Sequence, residues 1–190
     1  MIGANVKQYN MQIKHRVNLI DLLKFYNLQD LPCAEIGVAE GYFSHDMLNW
    51  GIPKLYMVDN WGHIENVTGD GNFDNTWHNK NHTAAVERVK KFGEKAVILR
   101  GLSVDMAAQI PNKSLGLVYL DANHSYDGVT ADLNAWVDKV VDGGIIAGHD
   151  YLSPQYGVYK AVQDFCKGKY GVHIIPETKQ EDAGFYFIKK

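Results

Sequence analysis

The chain reads as an α/β protein: a Rossmann-like three-layer sandwich on a mainly parallel seven-stranded sheet with an antiparallel last strand. Three observations predict it. Short apolar runs alternate with amphipathic stretches from Cys33 onward, the pattern of strands joined by crossover helices. Acids close several of those runs, as where Val58 meets Asp59 and Leu120 meets Asp121. The last two runs, Val172 to Ile175 and Gly184 to Ile188, have only a polar turn with Pro176 between them, so they pair antiparallel.

Each element follows from its local pattern. Ile13, Val17, Ile20 and Leu23 fall at helical spacing and predict a leading helix inside an N-terminal segment, residues 1–30, that covers part of the sheet. Cys33 to Val38 is a buried strand, Ala39-Glu40-Gly41 a turn, and Phe43 to Trp50 a short helix. Lys54 to Val58 is the second strand. Residues 60–81 are rich in Asn, Gly, Asp and His yet contain Trp61, Phe73 and Trp77, which predicts a lid-like loop. Thr83 to Phe92 is a helix, Ala96 to Leu99 a strand, and Val104 to Ile110 a helix closed by Pro111. Leu115 to Leu120 is the fourth strand. Val129, Leu133, Trp136, Val137 and Val140 mark an amphipathic helix that Gly143-Gly144 terminates. Ile145 to Ala147 is a strand, and Val158 to Lys167 a helix.

The totals exclude several classes. A length of 190 residues suits one domain, 1–190, with a sizeable core. A net charge of −3 gives no overall attraction to nucleic acid or to an anionic membrane, and no apolar run is long enough to span a bilayer. Two cysteines, Cys33 and Cys166, both in apolar elements, read as buried free thiols. With no apolar leader in the first fifteen residues, the expected setting is reducing and cytoplasmic. Self-association into a homo-oligomer stays open.

The chemistry gathers at the ends of the strands, the edge where open α/β sheets bind ligands. The turn Glu35-Ile36-Gly37-Val38-Ala39-Glu40-Gly41 has small residues where a ligand approaches a helix N-terminus. Its two acids suit an ammonium or sulfonium better than a pyrophosphate. Asp59 ends the next strand, where a carboxylate accepts the hydroxyls of a ribose. Asp121 and His124 end the fourth strand, and His149 and Asp150 the fifth, a grouping of acids and imidazoles that suits acid–base work or a metal. Asp132 faces away from the apolar stripe of its helix, a solvated or capping position unless it braces His124. His63, His78 and His82 read as surface residues.

These motifs, in this order, resemble class I S-adenosylmethionine-dependent methyltransferases. The stretch Asp121-Ala-Asn-His-Ser-Tyr-Asp, with Gly143-Gly144-Ile145 and Gly148-His149-Asp150-Tyr151, is similar to the branch of macrocin-type sugar O-methyltransferases. The resemblance implies S-adenosylmethionine as cofactor: its methionine end over Glu35, Gly37, Ala39, Glu40 and Gly41, its ribose on Asp59, and its adenine near Leu102 and Ser103 with Asn60 and Trp61 as neighbours. It implies a divalent metal on Asp121 and Asp150, Mg²⁺ first, and His124 as general base. His149 is a third ligand, which would favour Mn²⁺ or Fe²⁺, or else a substrate contact. The implied partner is a small hydroxylated acceptor such as a sugar. Two other readings stand beside this one. The same branch resembles proteins labelled cephalosporin hydroxylase, with iron on the same residues, but the cofactor turn has no use there. A non-catalytic nucleotide-binding module would not need Asp121, His124 and Asp150.

Overall fold

The computed structural model describes residues 13–65, 71–179 and 182–190. Seven strands form one sheet in the order β3-β2-β1-β4-β5-β7-β6. They are β1 (Cys33–Ile36), β2 (Leu55–Asp59), β3 (Ala96–Arg100), β4 (Leu115–Leu120), β5 (Val140–Gly148), β6 (His173–Ile175) and β7 (Gly184–Ile188). The first five run parallel, and β7 runs antiparallel to both β5 and β6. The order reverses between β1 and β4, which opens a crevice beyond their C-terminal ends.

Helices cover both faces. One layer holds α1 (Leu19–Phe25), α2 (Tyr42–Asn49) and α3 (Asn75–Val89). Strand residues Cys33, Leu55, Met57, Leu117 and Tyr119 point into this layer, against Leu23, Phe43, Met47 and Ala85. The other layer holds α4 (Ser103–Ala107), α5 (Tyr126–Trp136) and α6 (Val158–Cys166), where Ala34, Ile36, Val58, Val118 and Ile146 meet Leu133, Trp136 and Val162. Adjacent strand residues thus serve opposite cores, the two-residue period of a sheet buried on both faces.

Four expectations change. The loop placed over residues 60–81 is shorter, because α3 begins at Asn75, where the Asp74 carboxylate caps the Trp77 N–H at 2.9 Å. The part of that loop at residues 66–70, and residues 1–12 of the N-terminal segment, lie outside the described residues. The leading helix is a short 3-10 turn, Arg16–Asn18, followed by α1. Val140 belongs to β5, since α5 ends at Trp136, and Gly143 takes φ +81° where the register with β4 shifts. Finally, Asp132 is 6% exposed on the inner face of α5 rather than solvated. Cys33 and Cys166 are buried free thiols; burial raises the first to about 12 and the second to about 11, so both stay protonated and inert.

Candidate active site

Backbone hydrogen bonds continue one residue past the strands and set their ends in a row. Gly101 donates to Asp59 O at 2.9 Å, Gly37 to Val58 O at 2.9 Å, Asp121 to Ile36 O at 2.7 Å and His149 to Leu120 O at 3.2 Å. The candidate residues therefore line one edge in the order Leu102 and Ser103, Asp59, the Gly37–Gly41 turn, Asp121, then His149 and Asp150.

The first half of the row is held by backbone. Gly37 has φ +90°, and a Cβ there would lie 2.0 Å from Asp121 O, so only glycine fits between β1 and β4. Asp59 Oδ2 accepts the N–H groups of Val38 and Ala39, both at 2.9 Å, and Oδ1 accepts that of Trp61 at 2.7 Å. Trp61 is fully buried and its indole N–H returns to Ala39 O at 2.8 Å, so it braces the turn from behind. Ala39 at φ +49° and Trp61 at φ +41° both take the left-handed conformation that non-glycine residues rarely adopt. The Arg88 guanidinium donates to Glu40 O and stacks on Tyr42. The Asn60 side-chain amide donates to Gly62 O at 2.5 Å. Leu102 is exposed, while Ser103 Oγ accepts the Trp136 indole N–H at 2.9 Å.

Glu35 differs from its sequence reading in charge. It is buried under α2, bonded to the Ser44 hydroxyl, and burial raises its carboxyl to about 8. Near neutral pH it is mostly protonated. The negative field of the turn comes instead from Asp59, Glu40 and Asp121.

The second half of the row is built of side chains. His124 Nε2 lies 3.2 Å from Asp121 Oδ1 and 3.3 Å from Asp150 Oδ2. Asp121, His124 and Asp150 each offer a ligand atom, and all three atoms lie within 4.8 Å of one another. His149 stands outside this set, with Nδ1 3.3 Å from Asp150 Oδ2. Burial would lower the His149 imidazole, but the hydrogen bond to Asp150 and the charges of Asp121 and Asp150 outweigh it and raise it. Burial would raise the Asp150 carboxyl, yet its hydrogen bond to His149 and the charges of His149, His124 and Arg16 hold it below the ordinary range. Asp150 has φ +55°, a third strained residue on this edge. The Tyr156 ring packs 4.6 Å from the His124 ring, and Gly157 N donates to His124 O at 2.8 Å. Beyond it opens a pocket of about 290 Å³, walled by Tyr151, Leu152, Pro154, Tyr156 and Tyr159.

The sequence reading missed one contributor. Arg16 reaches the site from the N-terminal segment, with Nη1 3.7 Å from Asp121 Oδ2. Asp132 is raised to about 6 by burial, against the lowering effect of its bond to Ser103. It lines, with His124 and His149, a cavity of about 10 Å³, near the room one water needs. His78 is buried on α3, while His63 is exposed.

This strand order with a reversed β7, a glycine-bearing turn after β1 and an acid ending β2 define the class I S-adenosylmethionine-dependent methyltransferase architecture. A family profile described as a methyltransferase domain matches residues 34–151, and the chain belongs to that family. It is a class I S-adenosylmethionine-dependent methyltransferase. An uncharacterised protein of Acanthamoeba polyphaga mimivirus is 30% identical over 162 residues, covering 80% of this chain and 68% of that one. The calicheamicin methyltransferase CalS11 superposes with a TM-score of 0.69 at 14% identity, over 91% of this chain and 78% of its own. The O-methyltransferase of Bacillus cereus, solved with S-adenosylhomocysteine, gives 0.66 at 13% identity, over 98% and 86%. At these identities the two structures speak for the fold. No helix among the described residues is long and apolar enough to cross a membrane.

Proposed function

We propose that the chain methylates a hydroxyl group on a small ring-shaped acceptor, such as a sugar, with a divalent metal on Asp121, His124 and Asp150. The observation that carries this reading is the convergence of those three side chains beside the tyrosine-walled pocket, one strand beyond the cofactor turn.

The residues fit both groups. Asp59 spends three of its roughly four acceptor positions on the N–H groups of Val38, Ala39 and Trp61 and keeps one for a ribose hydroxyl, and the acids of the edge suit a sulfonium. Two carboxylate oxygens and one imidazole nitrogen, gathered within 4.8 Å of one another, are a donor set that would suit a single divalent ion. A nitrogen in the set moves preference from Mg²⁺ toward Mn²⁺ or Fe²⁺. His124 thus takes the ligand place that the sequence reading gave to His149, and His149 orients Asp150 through their hydrogen bond.

S-adenosylmethionine supplies a methyl group on a sulfonium, the metal a positive charge that acidifies a bound hydroxyl. The protein supplies position and a route for the proton. The acceptor oxygen would have to face the methyl group, and the row of strand ends held by backbone hydrogen bonds would position the two sites relative to each other. An acceptor hydroxyl would give up its proton on methylation, and the Asp121, His124 and His149 group would be placed to take it. Were His124 to hold an ion, His149, beside Asp150, would remain as an imidazole to take that proton. Tyrosine faces in the pocket suit the apolar face of a sugar or a phenol ring. The apo structure of a TDP-rhamnose 3'-O-methyltransferase superposes with a TM-score of 0.64, which supports a sugar on the same scaffold.

The test is transfer of labelled methyl to panels of nucleotide-linked sugars and catechols, with Mn²⁺ or Mg²⁺ and with chelator. The reading expects a methyl ether whose formation stops with chelator. A nitrogen- or carbon-methylated product, or chelator-insensitive turnover, overturns it.

A further inference from the structure

We infer that Arg16 is a cofactor-binding residue: its guanidinium, brought in by the N-terminal segment, holds the α-carboxylate at the methionine end of S-adenosylmethionine. The inference rests on where Arg16 sits in the row. Its guanidinium carbon lies 5.0 Å over the Phe43 ring, on the first turn of α2, two residues past Gly41. Nη1 lies 3.7 Å from Asp121, whose backbone contacts Gly37. Arg16 therefore stands over the junction of β1 and β4, on the α2 side of the sheet. With adenine near β3 and ribose at β2, the amino-acid end of the cofactor comes to that junction. The pocket assigned to the acceptor lies farther along, past His124 and Asp150.

The chemistry agrees with the position. The cofactor ends in a zwitterion, and its carboxylate needs a cation in a crevice that is otherwise acidic. The other arginines recorded at this edge are committed elsewhere: Arg88 donates to Glu40 O, and Arg100 to Trp61 O and to the Asn79 side-chain Oδ1. Among the described residues the ion pair of the Arg16 guanidinium is the 3.7 Å contact with Asp121, beyond the roughly 2.7–2.9 Å of a charge-assisted hydrogen bond, so a carboxylate can make the shorter one.

Its backbone is held in place for the task. Arg16 N donates to Glu177 Oε1 at 2.6 Å, His15 Nε2 lies 2.9 Å from Glu177 Oε2, and Glu177 N donates to Lys14 O at 3.1 Å. Glu177, in the turn between β6 and β7, anchors residues 14–16 as a strap, and the planar guanidinium stacks on Phe43.

Calorimetry with two ligands tests this without an acceptor. S-adenosylhomocysteine carries the α-carboxylate; 5'-methylthioadenosine has the same adenosine and thioether without the amino-acid end. Arg16→Gln should weaken S-adenosylhomocysteine by roughly 10- to 100-fold and leave methylthioadenosine within about twofold. Arg16→Lys should recover part of the loss, and the thermal midpoint of each variant reports on folding. Equal losses for the two ligands would make Arg16 structural, and no loss for either would remove it from the cofactor site; both overturn the inference. Failure of the unchanged protein to bind S-adenosylhomocysteine would strike the cofactor assignment itself, a separable result.

Discussion

The two halves of the strand-end row are built by different means. Around β3, β2 and β1 the site is made of backbone. Asp59 pins Val38, Ala39 and Trp61, Gly37 admits no side chain, and Trp61 fills the space behind. Around β4 and β5 it is made of side chains: Asp121, His124, His149 and Asp150 come from two strand ends, and Tyr156 packs on the His124 ring. The first half fixes a shape, and the second fixes charges and protons. A constant cofactor suits a rigid backbone mould, and a varying acceptor suits replaceable side chains on loops.

The contrast can be broken most severely at Gly37. Gly37→Ala places a Cβ against Asp121 O at a φ that L residues avoid, so both halves should fail together, with a stability loss of about 3 kcal/mol or more in chemical denaturation. Retention of full stability would show that the β1–β4 junction is looser than described. Asp59→Ala comes next. It leaves three backbone donors without their partner, and should cost about 2–4 kcal/mol while weakening S-adenosylhomocysteine about 100-fold or more. A variant of native stability that still bound the ligand would remove Asp59 from its central place.

A smaller effect separates structure from chemistry at Glu35. Its carboxyl titrates near 8 when folded and near the ordinary 4.5 when unfolded, so the folded state holds the proton over that window. Its contribution to stability is therefore complete below about pH 4.5 and is lost as pH rises toward 8, at up to about 1.4 kcal/mol per unit. Glu35→Gln should flatten the denaturation midpoint over that range and gain on the unchanged protein at pH 8. An unchanged pH slope would mean that Glu35 is charged and that the turn is more acidic than described.

What the sequence disclosed follows the same division. The glycine-bearing turn and an acid ending β2 were readable because each is a pattern of consecutive residues, whereas the hold of Asp59 on Val38 and Ala39 was not, since those partners lie about 20 positions away. The strands were readable from unbroken apolar runs. Charge was not, since Glu35 looks ionised until its burial against Ser44 is known. The start of α3 was hidden because its inward face includes His78 and Asn81, which break the apolar period, although Asp74 three residues before Trp77 is a capping signal. Asp132 misled for the same reason, a polar residue on a buried helix face. Arg16 was invisible because its partners Phe43, Asp121 and Glu177 are distant in sequence, and only the closed sheet brings them together.

The central claim is that cofactor and metal occupy separate halves of one edge. Its most direct test is a pair of binding titrations, with S-adenosylhomocysteine and with Mn²⁺, on Asp59→Ala and on the double variant Asp121→Asn, Asp150→Asn. The account predicts a crossed result: Asp59→Ala loses the nucleoside ligand and keeps Mn²⁺, and the double variant loses Mn²⁺ and keeps the nucleoside ligand. Loss of both ligands in the double variant, with its fold intact, or Mn²⁺ binding that survives there, would contradict the division.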